Sequence, residues 1–340
     1  MSGSESPGGN DSFLELTPKE AAQLIEVTGR RSTGLCFALN SYENRVFEME
    51  LAGTGPGGEE GERVVAKFYR PGRWERQQIQ DEHDFLLELA AEEFPVAEPL
   101  RAPDGETLFE VNGIFCCVFR KALGRSPEDF FANDFTKLGE LIGMMHNVGA
   151  RHVAPHRRRL TADEFGDKSL DILMEGKCIP PALEQSYVTA AEDILDFLEP
   201  RLKKLPALRL HGDCHRGNVL SAAVRDPNSR APGFVFVDFD DMVMGPQIQD
   251  MWLLSPGRDE QAVEDRDLMI AGYETIRRFD RGQLELVEAL RGLRVIHYSA
   301  WIARRFHDPA FVRTFDQFKE ARYWEDELDQ LREIAARLPR

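Results

Sequence analysis

Strand-like alternation fills the first third of this chain and helical periodicity nearly all of the rest, and that segregation restricts the architecture more than any single motif. Strands gathered before helices, rather than alternating with them, point to an α+β protein and away from a doubly wound sheet. The Gly-, Ser- and Pro-rich opening MSGSESPGGNDS is expected to be a disordered tail over residues 1–12. TPKEAAQLIEVTG then offers a Thr cap, Pro at the first helical position and spaced apolar residues, the pattern of a short helix. GLCFALNSYENRVFEMELAG and RVVAKFYR alternate as strands around the turn cluster GTGPGGEEGE. From Trp74 to about Glu93 the periodicity predicts an amphipathic helix, and ETLFEVNGIFCCVF a hairpin turning at Val111, Asn112 and Gly113. An antiparallel sheet carrying one helix over residues 13–120 follows.

Beyond KALGRSPED, which reads as a hinge, residues 121–340 are predicted to be mainly helical, beginning with DFTKLGELIGMMHNVG. Short strands ALRL, NVLSAAV and GFVFVDF interrupt once, the last two joined by the loop RDPNSRAPG. In QLELVEALRGLRVIHYSAWIARRF, the positions Leu286, Leu290, Leu293, His297, Ala300 and Ile302 fall near one face, a stripe expected to be core.

Composition closes several function classes. A chain of 340 residues is long for one core, so two packed parts are expected. No apolar run approaches the ~20 residues of a membrane span, and the opening lacks the basic and apolar regions of a signal peptide, so a cytoplasmic protein is expected. Five cysteines without a CxxC pair describe neither a disulfide framework nor a zinc knuckle. A net charge of -17 disfavours nucleic acid as a partner and would suit a cationic substrate. A monomer is the expected state.

Chemistry concentrates in LRLHGDCHRGN, Leu208 to Asn218. One reading is direct metal binding, with His211 and His215 joined by Asp213 or Cys214 around zinc or iron; it leaves Lys67 and Asn218 unexplained. The other is phosphoryl transfer from ATP, which needs a cation on the phosphates, metal ligands and a carboxylate against the attacking hydroxyl. VVAK ends in Lys67 on the third predicted strand, where it could reach phosphates, and Glu82 on the next helix could pair with it, although Asp81 and Glu75 compete for that part. His211, Gly212 and Asp213 match an H-x-D catalytic loop, with Asn218 at the matching spacing: Asp213 for the hydroxyl and the Asn218 oxygen for Mg²⁺. GFVFVDFDD ends an apolar strand in acids, with Asp238 where a metal-binding aspartate belongs. Each piece alone is common; their order along the chain favours the second reading. His211 is then structural, His215 a helper to substrate or phosphate binding, and Cys214 a buried thiol.

These residues, with LNSYENRV, VVAKFYRPGRW, HGDCHRGN and FVDFDDMVMGPQIQDMWLL, make the chain similar to the aminoglycoside phosphotransferase and choline kinase superfamily, over a stretch from about Gly34 to the last helices. Within it the wording is nearest to a group of bacterial stress-response serine/threonine protein kinases. The resemblance implies a protein-kinase-like bilobal α+β fold, a nucleotide-binding lobe over 13–120 and a catalytic and substrate lobe over 121–340. It implies Asp213 and Asp238 as active-site acids, Asn218 and Asp238 as Mg²⁺ ligands, and Ser41 in contact with ATP, in place of the glycine-rich phosphate loop that the chain lacks. Asp240 stands where protein kinases have the Gly of D-F-G, and no long activation segment follows. The acceptor implied is a Ser or Thr hydroxyl of a protein; a small hydroxyl acceptor such as an aminoglycoside, choline or homoserine is the alternative. A nucleotide-binding regulator without catalysis is a third class, disfavoured by the presence of Lys67, Asp213, Asn218 and Asp238.

Overall fold

A computed structural model describes residues 13–55, 58–221 and 233–339. The expected N-terminal tail, the tip of the GTGPGGEEGE turn and nearly all of the RDPNSRAPG loop lie outside the described residues.

The first helix, α1 (Pro18–Leu24), starts as its sequence predicts: the Thr17 hydroxyl accepts from the Glu20 N–H, and the Glu20 carboxylate accepts from the Thr17 N–H. Strands β1 (Ser32–Leu39), β2 (Arg45–Gly55), β3 (Gly58–Phe68), β4 (Phe109–Val111) and β5 (Ile114–Arg120) form one antiparallel sheet in the order β1-β2-β3-β5-β4. The β4–β5 hairpin closes through Asn112 and Gly113, both at positive φ, as its two-residue turn requires.

Period-two alternation divides the sheet. Phe47, Met49 and Leu51 of β2 and Val64, Ala66 and Phe68 of β3 bury one face against Ala21, Ile25 and Phe13. The intervening residues, Val65 and Lys67 among them, face the other way, into a cavity and toward α2 (Arg76–Ala91). That helix buries Ile79, Glu82, His83, Phe85, Leu86 and Leu89. Glu82 sits three residues after Ile79 and four before Leu86, so helical period turns it inward.

The rest of the chain is built on α3 (Ala132–Gly149), α4 (Lys168–Glu175), α5 (Pro181–Leu202), α6 (Gln249–Trp252), α7 (Glu260–Glu274), α8 (Val287–Arg305), α9 (Pro309–Thr314) and α10 (Ala321–Arg337). Helices α3 and α7 meet through glycines: a Cβ on Gly139 would lie 1.8 Å from the Met269 carbonyl oxygen, and one on Gly272 2.0 Å from that of Thr136. The larger apolar core runs unbroken from α2 into these helices. Inserted among them are two antiparallel strand pairs, β6 (Leu208–Leu210) with β9 (Val243–Gly245) and β7 (Val219–Ser221) with β8 (Phe234–Phe236).

Candidate active site

The two strand pairs explain why distant segments converge. Because β6 pairs with β9 and β7 with β8, the loop joining β6 to β7 lies beside the loop joining β8 to β9. His211 Nε2 donates to the Val237 carbonyl at 3.0 Å, and the Val237 N–H donates to the Asn218 carbonyl at 3.0 Å. Beneath them the buried Asp250 carboxylate accepts from the His211 and Gly212 N–H groups, both at 2.8 Å, and is backed by His146 Nε2 at 3.2 Å. Gly212 has φ +88°, and a Cβ there would lie 2.1 Å from the Asp241 carbonyl oxygen, so the loop needs glycine.

On that frame, Asn218 Nδ2 donates to the Asp213 carbonyl at 3.0 Å, leaving its Oδ1 as a hard acceptor. Asp213 holds its carboxylate against Arg294 Nη1 at 2.7 Å and His215 Nε2 at 3.5 Å. Strand β8 ends at Phe236, so Asp238 stands two residues past the strand rather than at its end, with φ +62°, a left-handed conformation that Asp tolerates better than most residues.

Lys67 lies at the centre, its ammonium 2.9 Å from Asp240 Oδ1, 3.4 Å from Asp238 Oδ1 and 3.7 Å from Glu82 Oε1. Of the three competing acids on and before α2, only Glu82 faces Lys67. Asp81 accepts from the His156 N–H at 2.8 Å, and Glu75 caps the helix start. The tighter partner of Glu82 is Arg157, at 2.8 Å. Asp240 also binds Arg73 and accepts from Asn44 Nδ2 at 3.1 Å, and Arg73 reaches Asp241 at 2.7 Å. Burial opposes the Lys67 charge, but Asp240, Glu82 and Asp238 more than offset it and raise its pKa. Burial likewise lifts the Glu82 carboxyl despite Lys67 and Arg157 beside it. Burial opposes the Asp240 carboxylate too, yet Arg73 and Lys67 hold its pKa well below the usual range.

Lys67, Glu82, Asp213, Asn218 and Asp238 all line one cavity of about 990 Å³, whose apolar walls include Val46, Val65, Phe119 and Leu220. Ser41 lines it too, at the tip of the β1–β2 loop, its hydroxyl accepting from the Asn44 N–H at 3.2 Å. The stripe expected to be core is buried at Leu286, Leu290, Leu293, Ala300 and Ile302; Leu290 and Leu293 also form part of the cavity wall, and the half-buried His297 lines it. Apolar periodicity cannot separate a core wall from a cavity wall. The thiol of Cys214 is fully buried, its pKa pushed well up by burial, and His211 is fully buried, so neither reaches a ligand. Sequence reasoning missed Arg73, Arg157, Asp250, Arg294 and Glu43. The last accepts from Trp301 Nε1 and Arg305 Nη2, both at 2.8 Å, and so ties the β1–β2 loop to α8. Asp250 carried a signal in GPQIQDMWLL, being the one charge in that stretch; the arginines carried none, since surface arginines look the same.

A kinase-like phosphotransferase architecture is what this fold and cavity define, and residues 37–287 match the model of the phosphotransferase enzyme family known as APH: the chain belongs to that family. It is similar to stress response kinase A of Escherichia coli (strain K12), 35% identical over 313 residues, 92% of this chain and 90% of the relative. It is also 35% identical over 288 residues to the serine/threonine protein kinase RdoA of Salmonella typhimurium, covering 84% of this chain and 83% of that one. Among solved structures, amicoumacin kinase hAmiN in complex with AMP-PNP, Ca²⁺ and Ami superposes with a TM-score of 0.68 at 19% identity over 89% of each chain, a likeness of fold. Among the described residues no helix is long and apolar enough to cross a membrane.

Proposed function

We propose that this protein is an ATP- and Mg²⁺-dependent phosphotransferase whose acceptor is a Ser or Thr hydroxyl of a protein, acting in a bacterial stress response in the cytoplasm. The reading rests on the two kinase-named relatives, each spanning more than four fifths of the chain. The observation that carries the chemistry is that Lys67, Asp213, Asn218 and Asp238, far apart in sequence, face one cavity. Residues 13–120 would hold the nucleotide and 121–340 supply catalysis and acceptor binding. Ser41 and Lys67 would engage the ATP phosphates, with Glu82, itself held by Arg157, behind Lys67.

The donor set fits Mg²⁺: Asn218 presents an amide oxygen, the Asp238 side chain is 57% exposed, and neither His211 nor Cys214 is accessible. Such an ion, when bound, would neutralise charge on the transferring phosphoryl group. The acceptor oxygen bonds to the γ-phosphorus as the bond to the β–γ bridging oxygen breaks; ADP leaves, and Asp213 takes or orients the hydroxyl proton. A protein acceptor and a small alcohol pose the same displacement, so only kcat/KM ratios discriminate them. Transfer from γ-labelled ATP to Ser or Thr of protein acceptors should exceed transfer to choline, homoserine or an aminoglycoside, with Asp213→Asn as the blank against contamination. A small alcohol outrunning every protein acceptor by orders of magnitude would overturn the protein-kinase reading.

A further inference from the structure

The two carboxylate oxygens of Asp213 have different surroundings. Oδ1 accepts from Arg294 Nη1 of α8 at 2.7 Å, which leaves Oδ2 for an acceptor. Oδ2 faces His215 Nε2 across 3.5 Å, a separation long for a direct hydrogen bond. The two atoms form the sides of a slot, in which a hydroxyl oxygen could sit about 2.8 Å from each. His215 lines the same cavity as Asp213, Asn218 and Asp238, and its side chain is 39% exposed, within reach of a ligand.

The loop also fixes which ring nitrogen of His215 carries the proton. The Gly217 N–H donates to His215 Nδ1 at 3.0 Å, so Nδ1 is unprotonated and the neutral ring holds its proton on Nε2. Glycine at 217 lets the ring close on that N–H, since a Cβ there would lie 2.8 Å from His215 Cε1 and 3.0 Å from Nδ1. The backbone holds both ends of the turn: the His215 N–H donates to the Asp213 carbonyl at 2.8 Å, and the Asn218 N–H to the His215 carbonyl at 2.9 Å. A directed donor therefore faces a directed acceptor across the slot, and His215 is not a second base.

We propose that His215 is a catalytic residue of the acceptor side, its Nε2–H donating to the acceptor hydroxyl oxygen while that hydroxyl donates to Asp213 Oδ2. The inference rests on the proposed transfer to a hydroxyl. One lone pair of the attacking oxygen accepts from Nε2–H; another forms the bond to the γ-phosphorus as the bond to the β–γ bridging oxygen breaks. The hydroxyl proton passes to Asp213, and His215 keeps its own throughout. Phosphoryl transfer has a loose transition state with little bonding to the nucleophile, so a donor on the spare lone pair removes little reactivity and fixes the direction of attack. The slot also selects the reacting atom, because an alcohol both donates and accepts, whereas a protonated amine has no lone pair for Nε2–H.

His215 is also the cap of the turn Arg216–Asn218, through Nδ1, and two substitutions separate the two parts. His215→Asn keeps a good capping acceptor but has no donor at the Nε2 position; His215→Gln brings an amide N–H near that position and loses the cap. Transfer from γ-labelled ATP is measured at subsaturating acceptor, which reads kcat/KM, for wild type, H215A, H215N and H215Q. The acceptors are Ser and Thr peptides of mixed flanking sequence, choline, homoserine and an aminoglycoside, with Mg-ATP affinity followed by calorimetry. H215A and H215N should lose roughly tenfold or more in kcat/KM, H215Q should recover most of that loss, and Mg-ATP affinity should be unchanged in all three. H215Q no faster than H215N would make His215 a cap of the loop alone and overturn the proposal, as would losses that merely follow Mg-ATP affinity. Wild type transferring only to a small alcohol would sink the protein-kinase reading by itself, since the slot serves any alcohol and the same ranking of variants is then read on that acceptor. Wild type transferring to none of them would overturn both.

Discussion

Two aspartates two residues apart, Asp238 and Asp240, should respond to substitution in opposite ways. Asp240 is 3% exposed and answers Lys67 and Arg73, whose side chains are 7% and 9% exposed; the Asp238 side chain is 57% exposed and, among the described residues, its ion pair is with Lys67, at 3.4 Å. Asp240→Ala leaves two buried cations short of their main counter-charge, and breaking a buried pair costs about 3–5 kcal/mol. At roughly 2 °C per kcal/mol for a chain of this size, the melting temperature should fall by about 6–10 °C. Asp238→Asn keeps a side chain that tolerates positive φ and removes only an exposed charge, so the melting temperature should stay within about 1 °C. Mg-ATP binding should reverse the order. Loss of groups merely supporting a metal ligand costs 10–100-fold in affinity, so removing the ligand charge itself should weaken Mg-dependent nucleotide binding by at least about tenfold. Differential scanning fluorimetry with and without Mg-ATP, followed by calorimetry, reads both. A stable Asp240→Ala protein, or an Asp238→Asn protein with unaltered Mg-ATP affinity, would mean that the buried and exposed acids have been assigned the wrong parts.

Asp213→Asn should retain Mg-ATP affinity and lose roughly 10²–10⁴-fold in transfer rate, measured with labelled ATP, because an amide fills the place without taking a proton. Asp250→Ala orphans the His211 and Gly212 N–H groups at about 1–3 kcal/mol each, so both melting temperature and activity should fall; a stable, active variant would show the loop to be held by something else. Glu327, half-buried against Tyr187, Ser299 and Tyr323, has its pKa raised to about 7, loss of solvent being the chief cause. A folded-state pKa above the unfolded one contributes stability below pH ~4.5 that is lost as the pH rises through ~7. Glu327→Gln should therefore flatten the stability profile between pH 5 and 8 and stabilise the alkaline end, and an unchanged slope in urea titrations would refute the assignment.

The fold was legible because its signals are local. Strand alternation, the Asn112–Gly113 turn and the Thr17 cap each declare themselves within a few residues, and the family wording supplied the architecture that joins them. Glu82 was legible to a degree that periodicity could have sharpened, since Ile79, Glu82 and Leu86 share a helix face that Asp81 does not. What stayed hidden is long-range charge pairing. Nothing in PGRWERQ marks Arg73 as the partner of an acid 167 positions later, and nothing in APHRRRL separates the fully buried Arg157 from its half-buried neighbour Arg158. A pairing of that kind has no period, so it exists only once the strand pairs have brought the segments together.

The departure at Asp240 then acquires a physical account. A glycine at that position would leave Lys67, Arg73 and Asn44 without the acid they share; with aspartate there, the segment after Asp238 is tied to the β1–β2 loop through Asn44 and to the turn after β3 through Arg73. The same loop is tied from the opposite side, where Glu43 meets Trp301 and Arg305 of α8 while Arg70 spans Glu43 and Asp308. The β1–β2 loop, which in a glycine-rich form would need backbone freedom to close over phosphates, is instead held by side chains from both flanks. Buried ionic networks contribute little net stability but fix one geometry among many. The short segment between Asp238 and Gln249 carries no Ser, Thr or Tyr to phosphorylate, and Asp240 within it is held by Lys67, Arg73 and Asn44.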